Sequence, residues 1–241
     1  ASIRATGLRI AHALAQAGGV SPAGEGLGTT RGRAGAGGLT HLWRQVGGRL
    51  AHVTARCNVA SIRATGLRSA HALAQDGGVS PADLCLRKTR VTAGSALLNH
   101  QKPIVHGLRA ARRVLDGHTP DTWAAQLDRR IFLWPRARAA RFAASFRRSV
   151  DTEILWIDPV RLGAAMWDHL DLCPLNSGSF EQGASKAVRG DWIYVPLSRG
   201  LDAFRDNRRL RGHATRRDSV GEVSLRAPLP ASILNEVLSD D

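Results

Sequence analysis

The spacing of apolar and polar positions along the chain predicts both strands and helices. Leu50, His52 and Thr54 alternate with small apolar residues, which predicts a strand with the imidazole and the hydroxyl on one face. Asn58 then suits a helix N-cap, and Gly66 suits the end of the same short helix. Polar groups at a strand end beside a helix N-terminus form a pocket for an anion or a ribose. A strand His and Thr that satisfy each other's hydrogen bonds would give the same pattern, so both interpretations stay open.

The other elements follow from periodicity and capping residues. Thr119-Pro120-Asp121 supplies an N-cap, a first-turn proline and a first-turn acid, and predicts a helix through Leu127. Residues 103–116 carry apolar residues on one helical face and arginines on the other. Further helices are predicted at 41–50, 69–75 and 138–148, and strands at Ile131–Trp134, Ile154–Ile157, Trp192–Val195 and Val220–Arg226. Most predicted helices come early in the chain and most predicted strands come late. This order predicts an α+β domain, because a doubly wound sheet would need strands and helices in regular alternation.

Length and composition narrow the class of protein. The chain has 241 residues with 43% hydrophobic content, enough for one sizeable core. Its longest apolar runs fall far short of the roughly 18 residues that cross a bilayer, so we expect no membrane span. The histidines lack convergent ligand spacing, so we expect no metal site. A reducing cytoplasm suits the widely spaced cysteines, which are Cys57, Cys85 and Cys173.

The charge of the chain favours an anionic partner. Its net charge of +14 comes from 34 basic and 20 acidic residues, and nearly all of the basic residues are arginines. Arginine binds phosphates bidentately and stacks on bases, which favours a nucleotide or nucleic acid. The best nucleic-acid surface is the segment that contains Arg136, Arg138 and Arg141. A GC-rich genome and a solvated basic helix face also explain these arginines, and both explanations stay open.

The N-terminal part of the chain is a partial duplication. Residues 1–23 match residues 60–82 at all but two positions, and residues 24–38 are rich in glycine. The first copy lacks the preceding strand and the Asn58 cap, so we interpret it as a non-functional copy followed by a flexible linker. The predicted organisation is therefore an appendage at 1–38 and a folded domain at 39–241.

Three segments carry residues with chemical potential. Glu222 would share a strand face with two other polar residues, although most strand glutamates are simply exposed to solvent. Arg87 and Arg90 form a basic cluster that could clamp a pyrophosphate, or that could be a solvated turn. Asn176-Ser177-Gly178 is most simply a turn, and a loop that shapes a cofactor cleft is the alternative.

Four segments together resemble a known kind of enzyme. The chain from about residue 39 to its end resembles a bacterial domain of unknown function that is itself similar to the DarT-type toxins, which ADP-ribosylate DNA using NAD. The chain departs from the closer relatives at 99–103, where Asn-His-Gln-Lys-Pro stands in place of Arg-Asp-Gln-Lys-Pro. The segments that carry the resemblance are His52-x-Thr54 with Asn58, Ile62 and Gly66; Arg90; Ile131–Arg136; and Glu222–Leu225 with the prolines and apolar residues up to Val237.

The resemblance implies a fold, a reaction and a set of site residues. The fold would be an α+β ADP-ribosyltransferase-like domain built on a split antiparallel sheet, and NAD would be the co-substrate. DNA or RNA would accept the ADP-ribose, and whether an antitoxin is a partner stays open. The alternatives are a non-catalytic arginine-rich nucleic-acid-binding module and an inactive pseudoenzyme on the same fold. The resemblance assigns catalysis to Glu222 and Arg90. It assigns cofactor binding to His52, Thr54, Asn58, Phe132 and Trp134, and Arg87, the predicted pyrophosphate clamp, is added to this cofactor-binding group.

Overall fold

The domain is a mixed α/β fold, built around an antiparallel sheet that is flanked by helices. The computed structural model describes residues 40–44, 47–147, 149–180, 186–212 and 219–239. The predicted appendage at 1–38 lies outside these residues. The strands are β1 (Leu50–Ala55), β2 (Val91–Ala93), β3 (Ala96–Leu98), β4 (Ile131–Pro135), β5 (Thr152–Ile157), β6 (Leu170–Cys173), β7 (Val195–Pro196) and β8 (Glu222–Leu225).

Helices precede, separate and follow these strands. Residues 40–44 are helical and lead towards β1. The other α-helices are α1 (Val59–Thr65), α2 (Ala70–Asp76), α3 (Pro81–Leu84), α4 (Lys102–His106), α5 (Leu108–Val114), α6 (Pro120–Asp128), α7 (Arg136–Arg147), α8 (Pro159–Met166), α9 (Gly200–Leu210) and α10 (Ala231–Val237). Within the described residues, no helix has both the length and the apolar character needed to cross a bilayer.

The main sheet has six strands in the order β5-β1-β4-β8-β6-β7, and β2 and β3 form a separate hairpin. The neighbouring strands of the main sheet pair in antiparallel fashion. β1 pairs with β5 along its whole length, but it pairs with β4 only at Leu50–Pro135 and Ala51–Trp134. The ladder between β1 and β4 ends there, so the centre of the sheet is open between its two halves.

The two faces of the sheet are covered by different clusters. Leu50, Leu133 and Val223 lie on one face, in the main core that also contains residues of α8 and α10. Trp123 and residues of α4 and α5 cover the opposite face over β6 and β8. Full burial of one large apolar side chain contributes about 1.5–3 kcal/mol, so these two clusters fix the orientation of each strand.

Capping residues begin several helices at the predicted positions. The Ser69 hydroxyl accepts from Ala72 N at 3.2 Å and caps α2. Thr119 and Thr122 form a capping box at the start of α6. Gly66 ends α1 with φ of +91°, and its ψ of −179° differs from the left-handed helical value. These local signals act over three or four residues, which explains why the sequence revealed them.

Three predicted elements differ from the structure. The helix predicted at 41–50 is helical at 40–44 but not at 47–50, where the chain turns into β1. The other two are wrong because of distant contacts. The single helix predicted at 103–116 is two helices, separated at Gly107, where Phe180 packs against the backbone. The strand predicted at Trp192–Val195 begins instead with a 3-10 turn at Asp191–Ile193. Asn207 Nδ2 donates to Trp192 O at 2.9 Å, so a side chain takes the carbonyl that a strand would use in its ladder.

Candidate functional site

Glu222 is deeply buried at the start of β8. The residue is 1% exposed, on the face opposite its neighbour Val223, so the solvent-facing alternative is excluded. Ser177 N donates to Glu222 Oε1 at 3.2 Å, and Cys173 of β6 is the cross-strand partner of Glu222. Burial raises the pKa of Glu222 to about 7, and contacts with Ser177, Cys173 and Arg189 offset part of the increase. Near neutral pH the carboxyl group therefore exchanges its proton readily.

Residues 174–180, which we name the covering segment, lie over Glu222. Ser177 lies at the centre of this segment, and Trp123 Nε1 donates to its carbonyl at 3.1 Å. Arg189 donates to Ser179 O at 2.6 Å and has a longer contact with Asn176 O at 3.4 Å. At Gly221 a Cβ atom would lie 2.4 Å from Leu175 N, so the segment and β8 approach as closely as glycine allows. The turn predicted at 176–178 is thus part of the site.

A second layer of polar residues lies beside Glu222 on the same face. Arg130 Nη1 donates to Asp171 Oδ2 at 2.5 Å and to Ser224 Oγ at 3.0 Å. Its guanidinium also lies 3.7 Å from the centre of the Tyr194 ring. Asp171 and Ser224 are cross-strand partners in β6 and β8. These contacts fix the position of the side chains next to Glu222, as a preorganised site requires.

A row of aromatic rings, which we name the aromatic row, leads from β4 to α7. Phe132 is the cross-strand partner of Ser224, and its ring lies 6.4 Å from Trp134. Trp134 stacks on Phe142 at 3.9 Å, and Phe142 lies 5.9 Å from Phe146. Strand alternation puts Phe132 and Trp134 on the sheet face of Glu222. These two predicted residues therefore share that face with the predicted carboxylate.

Arg90 lies at the far end of the aromatic row. Its guanidinium is 5.0 Å from the centre of the Phe146 ring, and its Nη2 donates to Ser149 Oγ at 2.9 Å. The Nε atom of Arg90 and the Nε1 atom of Trp134 are buried without a hydrogen-bond partner among the described residues. Arg90 therefore contacts the aromatic row at its α7 end, at Phe146.

His52 lies at the opening between β1 and β4. Its Nδ1 is 3.1 Å from Phe132 O, which links the two strands beyond the end of their ladder. Burial lowers the pKa of His52, so its imidazole is neutral near pH 7. By strand alternation, the His52 side chain lies on the same sheet face as Leu50, which belongs to the main core. Glu222 lies on the opposite face, so the structure does not bring these two predicted residues into contact.

Thr54 and Asn58 support the small hairpin. Asn58 lies at the start of α1, but its side chain makes no capping bond, which differs from the prediction. Its Nδ2 donates to Thr54 Oγ1 at 3.2 Å and to Leu97 O at 3.0 Å, and its Oδ1 accepts from Leu97 N at 2.8 Å. The Asn58 amide therefore pairs with β3 as a backbone group would. Thr54 pairs with Asn58 and not with His52.

The predicted pyrophosphate clamp at Arg87 has a structural role instead. Arg87 is 7% exposed and forms a bidentate pair with Asp128 at 2.7 and 3.0 Å. It also donates to Leu84 O and to Asn99 O. A phosphate would have to replace these buried bonds, so we leave Arg87 out of the site. Burial raises the pKa of Asp128, and the Arg87 guanidinium offsets part of that increase.

The predicted nucleic-acid residues are exposed on α7. Arg136, Arg138 and Arg141 all face solvent, in a helix whose residues 136–147 include no acid. The Arg136 guanidinium lies 6.0 Å from the Trp156 ring centre. These arginines are therefore available to an anionic partner.

Several residues around Glu222 were not predicted to belong to the site. Cys173 and Asp171 stand in a short apolar stretch, and Tyr194 follows a tryptophan and an isoleucine, so each resembles a core position. Alternation within Leu170–Cys173 would have identified their shared face. Arg130 and Arg189 were two of many arginines, and only tertiary contacts distinguish them.

Two surface cavities are present away from Glu222. One of about 560 Å³ is lined by Arg161, Ala164, Ala165, Glu236 and Val237. The other, of about 720 Å³, is lined by residues between Gly77 and Thr92. Neither of these two cavities is lined by Glu222 or His52. The described part of the chain contains no group of three or more His, Cys, Asp or Glu residues that could hold a metal ion.

Comparison with known proteins identifies the family but no better-characterised relative. No curated protein and no solved structure matches the chain. A family model described as a family of unknown function, DUF7002, matches residues 48–234, which include β1, the aromatic row, the covering segment and β8. The chain therefore belongs to this family of unknown function, DUF7002.

Proposed function

We propose that the domain transfers ADP-ribose from NAD, with Glu222 as the catalytic carboxylate. The observation that carries the proposal is the buried carboxyl of Glu222, 1% exposed and held by Ser177 N, with a pKa of about 7. The open ladder between β1 and β4 agrees with the split sheet that the resemblance implies. Strongly perturbed carboxyl groups of this kind are enriched in active sites.

The reaction needs one well-placed carboxylate. The bond between nicotinamide and C1′ of its ribose breaks, and the electron pair leaves with nicotinamide. C1′ becomes an oxocarbenium-like centre, whose positive charge a nearby carboxylate stabilises, as in glycoside hydrolysis. The acceptor then forms a bond to C1′ and loses a proton, for which a general base contributes about 10²- to 10⁴-fold in rate. Glu222 would accept a hydrogen bond from a ribose hydroxyl and serve as this base.

The neighbouring residues supply positioning. Phe132 and Trp134 would form an apolar aromatic wall on the sheet face of the carboxylate, and Arg90 offers a cation at the other end of the aromatic row. That cation would pair with a phosphate of NAD or of the acceptor. His52 holds the backbone of β4 at Phe132, so it would act on the site through the strand. Thr54 and Asn58 would likewise act through the hairpin.

The reaction also requires the covering segment to open. Hydrogen bonds from Trp123 and Arg189 to backbone atoms of that segment hold it over Glu222. Closure over a bound substrate would exclude water and favour transfer over hydrolysis of NAD. The described arrangement therefore corresponds to the closed state of the site.

Labelled NAD provides the test. The protein is incubated with ³²P-NAD and with separate pools of DNA, RNA and protein, in parallel with the Glu222→Gln and Glu236→Gln variants. We expect label on one pool with wild type and Glu236→Gln, and none with Glu222→Gln, because Glu236 is an exposed residue of α10. Transfer at the wild-type rate by Glu222→Gln would remove this glutamate from the mechanism.

A nucleic-acid-binding module without catalysis is the second candidate function. The exposed arginines of α7 favour it. Such a module would bind DNA or RNA with a steep salt dependence, and its melting temperature would not respond to NAD. An increase in melting temperature on addition of NAD favours the enzyme instead.

A further inference from the structure

The site around Glu222 contains a second buried polar group, the hydroxyl of Tyr194. The register of β6 and β8 pairs Glu222 with Cys173. The register of β6 and β7 pairs Leu172 with Val195, so the next position along brings Tyr194 beside Cys173. Glu222, Cys173 and Tyr194 thus form one row across the sheet, below the covering segment, with neighbours about 5 Å apart.

The Tyr194 hydroxyl has no hydrogen-bond partner among the described residues. The residue is only 6% exposed. The Ser177 side chain makes a polar contact with the phenol that lowers the pKa of Tyr194, but this contact falls short of standard hydrogen-bond geometry. A buried hydroxyl without a partner costs free energy, and such groups are rare in folded proteins unless a ligand or water satisfies them.

The ring that carries this hydroxyl is held firmly. Tyr194 stacks with Trp123 at 6.0 Å and an interplanar angle of 24°, and Arg130 lies 3.7 Å from the ring centre. Both neighbours are themselves held by hydrogen bonds, Trp123 to the covering segment and Arg130 to Asp171. The hydroxyl therefore has a fixed direction, which is what a substrate-binding group needs.

We propose that Tyr194 is a substrate-contacting residue, whose phenolic O–H donates to an oxygen of the ribose that Glu222 also binds. This inference rests on the proposed function. Burial raises the pKa of Tyr194 well above its usual range, with Glu222 and Cys173 as further causes, so the phenol keeps its proton and remains a donor. A ribose with neighbouring hydroxyls can donate to Glu222 and accept from Tyr194 at the same time.

Tyr194 is the single tyrosine of the sequence, which permits a direct test of contact. Protein labelled with 3-fluorotyrosine, in the Glu222→Gln background to prevent turnover, gives one ¹⁹F resonance. We expect NAD to shift this resonance saturably, with the same midpoint as the increase in melting temperature. A resonance that stays unchanged while NAD raises the melting temperature overturns the inference and leaves the proposed function intact. If NAD changes neither quantity in this variant or in the wild type, the inference and the proposed function both fail.

The Tyr194→Phe variant tests the same inference through turnover. It removes only a hydroxyl without a partner, so its melting temperature should equal or exceed that of wild type. Its kcat/KM for nicotinamide release should fall about 10- to 100-fold, the effect of one lost hydrogen bond to a substrate. The matched control is Trp192→Phe, which loses a bond to Asp116 and should keep its turnover. A lower melting temperature for Tyr194→Phe, or unchanged turnover, would overturn the inference.

Discussion

Replacing Glu222 by glutamine should make the domain more stable at alkaline pH than the wild type. Burial raises the pKa of Glu222 from 4.5 to about 7, so the folded protein favours the protonated acid. The stability contributed by this proton is fully present below pH 4.5 and is lost as the pH rises through about 7. A pKa difference of about 2.5 corresponds to about 3 kcal/mol in the free energy of unfolding. Glutamine does not titrate, so the variant avoids this loss.

Urea denaturation at pH 5, 6, 7 and 8 measures the effect. The difference in the free energy of unfolding between Glu222→Gln and wild type should move by about 2–3 kcal/mol in favour of the variant between pH 5 and pH 8, because part of the change has already taken place at pH 5. Glu236→Gln, which changes an exposed glutamate, should follow the wild type throughout. An equal difference at pH 5 and pH 8 would show that the carboxyl is solvated in the folded protein and that burial does not raise its pKa. A variant that gains stability while it loses activity is typical of an active-site residue.

Three further experiments test the surrounding structure. Asn58→Ala removes the side-chain bonds to β3 and should lower the free energy of unfolding by about 2 kcal/mol in urea denaturation; a neutral result would contradict the bracing role. Arg87→Met leaves a buried carboxylate unpaired and should cost about 3–5 kcal/mol, and adding Asp128→Leu should recover most of this loss in a double-mutant cycle. Trp123→Phe removes the bond to the covering segment, so a thiol reagent should modify Cys173 several-fold faster, and unchanged labelling would show that this bond does not hold the segment closed.

The sequence predicted those parts of the fold that local physics determines. The alternation from Leu50 to Thr54 gave β1, and the Thr119-Pro120 start gave α6, because strand alternation and helix capping involve only neighbouring residues. The interruption at Gly107 depends on Phe180, more than 70 residues further along the chain. Periodicity within a helix window contains no information about such a contact.

The candidate site shows the same division. The resemblance selected Glu222, Phe132 and Trp134, and strand alternation explains why they share one face. The resemblance also grouped His52 with Glu222. The registers of β1 and β8 against β4 show, however, that these two side chains lie on opposite faces of the sheet. The roles of Arg87 and Asn58 depend on partners about 40 residues away, so the sequence could not distinguish a structural arginine from a phosphate clamp.

Release of nicotinamide from NAD is the most direct measurement of the central claim, that Glu222 is the carboxylate of an NAD-consuming site. Purified wild type, Glu222→Gln and Glu236→Gln are incubated with NAD and the acceptor pool that becomes labelled, and free nicotinamide is quantified over time. We expect steady release by wild type and Glu236→Gln and a decrease of at least about 100-fold for the folded Glu222→Gln variant. Equal release by all three proteins, or no release by any of them, would contradict it.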